Sequence, residues 1–64
     1  MSDELAALVR VSAFGARFRA QRALAEIDAQ PATWRASPIF ERDAGEARAA
    51  LVRIRNAAEE VLRL

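Results

Sequence analysis

The sequence predicts an all-α fold, an antiparallel two-helix hairpin that pairs with a second copy into a four-helix bundle. Three observations carry that expectation. Two long stretches with no proline in their interiors, residues 3–29 and 38–64, are dominated by Ala, Leu, Arg and Glu, which are strong helix formers. Apolar residues recur along both at alternating spacings of three and four, the period of a buried helical stripe. Between the two lies residues 30–37, a segment holding Pro31 and preceding Pro38, where a helix has to stop. With 64 residues the chain has room for one domain, a single helical hairpin over 1–64.

The first helix, from about residue 3 to 29, carries Ala6, Val9, Ala13, Ala16, Ala20, Ala23 and Ile27 as one uncharged stripe. Most of these are alanine, which lets a partner backbone approach closely, so Ala16 and Ala20 are expected at a tight helix contact. Pro31 ends this helix, because proline disfavours α geometry in the residue before it. Ser37-Pro38 reads as N-cap and first helical residue of the second helix. Asp43 and Glu46 form a rival capping box, which would start that helix near Ala44. The second stripe is Phe40, Ala44, Ala47, Leu51, Ile54, Ala58 and Val61, bulkier than the first. A narrow stripe facing a bulky one suits interdigitation, and a short connection makes the helices antiparallel neighbours.

One hairpin leaves apolar surface over. Leu5, Leu8, Val11, Phe14 and Phe18 lie off the first stripe, an unpartnered strip larger than small monomers expose. A chain this short also needs a staple. Cysteine and histidine are absent, which excludes a disulfide framework and the commonest metal ligand. Association remains, so that strip is the expected interface with a second copy or another protein. Trp34 in the connection has two readings: a cap closing the bundle end over Ile27 and Phe40, which is favoured, or an exposed anchor for a partner. Gly15 inside the first helix reads as a close helix approach or a kink.

Catalytic chemistry finds no support. Lys, His, Cys and Tyr are all missing, and Ser2, Ser12, Ser37 and Thr33 have no base to activate them. The acids cluster as Glu41/Asp43/Glu46 and Glu59/Glu60, but adjacent helical residues point about 100° apart. They read as members of ion pairs four residues apart: Arg22–Glu26, Arg42–Glu46, Arg55–Glu59 and Glu59–Arg63. No cofactor and no metal is expected.

The basic residues are ten arginines. With sixteen alanines they point to a GC-rich, bacterial coding genome. The opening Met1-Ser2-Asp3-Glu4 lacks the positive charge of a signal peptide, and the apolar run Leu5 to Val9 is far shorter than the roughly 20 residues of a membrane span. The expected location is the cytoplasm. From Leu5 to Ala25 there are four arginines, Arg10, Arg17, Arg19 and Arg22, and no acid. Phenylalanines interleave with them, as in a nucleic-acid surface. The net charge of +1 is small for such a binder, so a solvated helix face is the favoured reading of the stretch.

In length and layout the chain resembles the Rop family of plasmid copy-number regulators, dimeric helical hairpins that form an up-down bundle. That resemblance implies recognition of paired RNA loops by a basic-aromatic face of the first helix, here Phe14, Arg17 and Gln21; Arg10, which falls on the same side of the helix as Arg17, completes the possible nucleic-acid contact. Trp34-Arg35-Ala36 departs from the Trp-x-Gly turn of the small secreted WXG hairpins. The expected function is therefore a non-catalytic interaction module acting as a homodimer, with nucleic-acid binding as the alternative.

Overall fold

The computed structural model describes residues 2–64. Three helices follow one another: α1 (Asp3–Asp28), α2 (Ala32–Arg35) and α3 (Pro38–Arg63). The two long helices, of 26 residues each, run antiparallel and pack against each other, while the single turn of α2 links them and rests on α3.

Local chemistry sets each boundary. The Ser2 side chain accepts from the Leu5 N–H at 3.2 Å, and Asp3 and Glu4 fill the first turn of α1, where negative charge meets the positive end of the helix dipole. At the other end the Gln30 N–H donates to the Ile27 carbonyl at 3.3 Å, and its side-chain amide donates to the Glu26 carbonyl at 3.1 Å. Pro31 then starts α2: its carbonyl accepts from both Trp34 and Arg35 N–H groups at 3.0 Å. The sequence pattern missed this turn, which is too short to carry a periodic signal. Of the two candidate starts for the last helix, Ser37-Pro38 is the one used, with Asp43 well inside α3. Ser37 is extended there but its side chain makes no cap bond; the pre-set φ of Pro38 is what nucleates the turn.

Among the described residues only Ala13, Ala20, Leu24 and Ala58 are buried. Both alanines of α1 belong to the expected stripe, but Leu24 does not. Ala16 is only half-buried, and Ala47 and Ile54 of the second stripe are exposed. The contact line is rotated from the expected one: Leu24 lies in it, Ala16 and Ala23 fall toward its edge, and Ala47 and Ile54 fall outside it. Three of the four buried side chains are alanines, so the core is thin. The molecule is a rod of 50 × 15 × 14 Å with a radius of gyration of 15.1 Å, against about 11 Å for a compact domain of this length.

Candidate functional site

Rotation of the seam leaves a groove open along one side of the hairpin. Val9, Ser12 and Ala16 form its α1 wall, Ile54, Ala57 and Val61 its α3 wall, and Ala13 and Ala58 its floor. Past Ala16 and Ile54 it continues to Ala23 and Leu51. Ile54, expected in the core, is 48% exposed at its rim. Small side chains line most of it, so a third helix could approach the backbone closely. By helical position Leu5 lies beyond the end of the α1 wall and Leu8 on its outer edge; both are exposed.

The opposite side of the hairpin is charged. Arg10 donates to the Leu62 carbonyl at 3.3 Å, from α1 to α3, and Arg48 of α3 pairs with Asp28 of α1. These cross-helix links were not visible in the sequence, since they depend on which α3 residues stand opposite which α1 residues. Of the four expected intrahelical pairs, Arg22–Glu26 forms at 3.5 Å. Arg42 instead meets Asp43 at 3.3 Å, and Arg55 donates to Asn56 at 3.4 Å. The other three expected pairs do not form among the described residues.

Val11, Phe14 and Phe18 lie on the outward face of α1, away from α3, and are 70%, 57% and 57% exposed. The five residues of the expected strip are therefore all accessible, but they divide between this face and the groove edge. Arg17 stacks its guanidinium 5.0 Å from the centroid of Phe14, an attraction of about 0.5–1 kcal/mol at an exposed site. Arg10, Phe14, Arg17 and Gln21 fall within about 60° of one another around the helix, so the four residues of the nucleic-acid alternative do share a side.

Trp34 is 60% exposed. The favoured reading of it as a cap over Ile27 and Phe40 is corrected: α2 carries the ring outward, where it lines a shallow hollow with Ile39, Phe40 and Asp43. Ile39 was missed as an exposed apolar residue; the Pro38-Ile39-Phe40 run was its signal. Gly15 is neither a close approach nor a site of unusual backbone. A methyl group there would meet only the mobile Arg19 guanidinium at 3.4 Å, and no described residue has a positive φ.

Among the described residues the acidic side chains form no group of three that could hold a metal ion. No helix of them is long and apolar enough to cross a membrane. No family model, no curated protein and no solved structure matches the chain.

Proposed function

We propose that the chain is a non-catalytic protein-interaction module, a small adaptor, subunit or regulator that works as a self-associated helical hairpin. The observation that carries this reading is surface. The hairpin exposes 5014 Å², where a compact monomer of its mass exposes about 4,100 Å². The excess, roughly 900 Å², is close to one partner's share of a standard interface, about 800 Å².

A second hairpin laid on the groove covers Val9, Ala16, Ile54 and Ala57, with Leu5 and Leu8 at the contact's edge, and completes a four-helix bundle. Its small residues permit close backbone approach, and the contact supplies the staple that a core of three alanines and one leucine lacks. Trp34, exposed at the end of the rod, adds an aromatic anchor of the kind that dominates interface energetics.

Sedimentation equilibrium at micromolar concentration tests this, comparing the wild type with Ala57→Arg, which places a charge on the groove wall without touching the buried seam. The wild type should sediment as a dimer or larger, and the variant should lose the dimer and, with it, much of its helical stability in a parallel melt. A folded wild-type monomer refutes the reading.

A second reading is favoured by the Arg17–Phe14 stack and the shared side of Arg10, Phe14, Arg17 and Gln21: a Rop-like bundle that grips RNA with that face, duplicated by dimer symmetry. Binding to RNA with a steep salt dependence supports it.

A further inference from the structure

The outward face of α1 carries a second heptad seam. Ala7, Val11, Phe14, Phe18, Gln21 and Ala25 follow one another at alternating spacings of four and three, and all six are exposed. In such a repeat they hold the two core positions over about 27 Å of helix. The positions flanking a heptad seam decide which helix pairs with it, because charges there face charges on the partner. Arg17 holds one flank together with Arg10, whose guanidinium also reaches the Leu62 carbonyl of α3, and Arg22 holds the other, beside Glu26 of its own helix. No acid occurs from Leu5 to Ala25. Three of the four arginines of this stretch thus line the edges of an apolar strip, and Arg19 lies off it.

We propose that this face docks an amphipathic helix of another protein, one whose apolar stripe is flanked by Glu or Asp. Charge complementarity selects that occupant over a second copy. Two α1 outward faces brought together oppose arginine to arginine in either direction, Arg17 against Arg22 when parallel and Arg17 against Arg17 or Arg10 when antiparallel. Like charges across such a seam repel, whereas carboxylates at the same places make charge-assisted hydrogen bonds with guanidinium. The strip also suits a helix better than nucleic acid. Only Phe14 and Phe18 offer flat surfaces for bases, while Ala7, Val11 and Ala25 extend the seam with aliphatic contacts that a base cannot use. Gln21, a polar residue at a core position, fixes the register of the incoming helix. Pairing through the groove leaves the face free, so a dimer presents two such sites. The proposal rests on the interaction-module reading and names the partner's chemistry.

The test uses the full chain and two labelled synthetic three-heptad peptides with the same alanine and leucine seam, one flanked by glutamate and one by lysine. Fluorescence anisotropy should show the glutamate peptide binding at least about tenfold more tightly than its lysine twin, with the difference shrinking in high salt. The double variant Phe14→Ala/Phe18→Ala should lose that binding. The double variant Arg17→Glu/Arg22→Glu should reverse the preference between the two peptides, a result that mere unfolding does not produce. Equal binding of both peptides, binding of neither, or tighter binding of single-stranded RNA or phosphatidylserine vesicles than of the glutamate peptide overturns the proposal. Sedimentation of the same samples separates the two levels. Absent peptide binding in a chain that still self-associates removes this proposal alone, and absence of both removes the module reading as well.

Discussion

Replacing Leu24 by alanine strikes the one large side chain that the seam buries. Leu24 is 8% exposed, and its companions in the core are Ala13, Ala20 and Ala58. Buried Leu→Ala changes cost about 2–5 kcal/mol, the transfer of the lost carbons plus a cavity term. Small neighbours and an open groove nearby let the helices close up, which puts Leu24→Ala near the low end, about 2–3 kcal/mol. In a chain of this size each kcal/mol moves the melting temperature by about 4–8 °C, so Tm should fall by about 10–20 °C. Ile54→Ala removes as much carbon, but from a residue that is 48% exposed, so roughly half its transfer energy is at stake, about 1 kcal/mol. Thermal melts followed by circular dichroism, at the lowest concentration that gives a signal, compare the two. If Ile54→Ala costs as much as Leu24→Ala under those conditions, the seam runs along the periodic stripe instead, and the rotation that opens the groove is wrong.

The remaining predictions are smaller or more local. Ala20 is 2% exposed, so Ala20→Leu should overpack the seam and cost about 1–3 kcal/mol, while Ala16→Leu on the groove wall should lower Tm less, and only through weaker self-association. Gly15→Ala should stabilise by about 1 kcal/mol, because the backbone there is ordinary helix and the new methyl meets only the Arg19 guanidinium; a loss of stability would mean that α1 approaches another helix at that point. A double-mutant cycle on Asp28 and Arg48, both substantially exposed, should return under about 1 kcal/mol and less in high salt. Should the RNA reading hold, Arg10→Gln/Arg17→Gln abolishes binding and flattens its salt dependence while Arg19→Gln/Arg22→Gln leaves it largely intact, as filter binding over a salt series would report.

The helices themselves were legible in the sequence because their signals are local. Ser2 before two acids, Pro31 after a long Ala-rich run and Ser37-Pro38 each state a boundary within a few residues, and the structure follows them to within one residue. The rotation of α1 about its own axis was not legible. Its apolar residues spread around most of the helix, so Ala16 and Leu24 were nearly equal candidates for the seam, and only packing against α3 decides between them. Orientation of the connection was hidden for a related reason. Trp34 points outward because one turn of α2 intervenes, and a four-residue helix leaves no periodicity to read. The exposed strip from Leu5 to Phe18 was legible as surplus, since a two-helix hairpin cannot bury two faces of α1. How that surplus divides between the groove edge and the outward face depended on the same rotation.

Self-association as the staple of a thin core is tested most directly by the dependence of thermal stability on protein concentration. If folding and pairing are coupled, a hundredfold rise in concentration adds roughly 1.4 kcal/mol per chain, and Tm should climb by about 5–10 °C. A Tm that stays constant across that range in a fully helical sample contradicts the account, because the hairpin would then be stable on its own four buried residues.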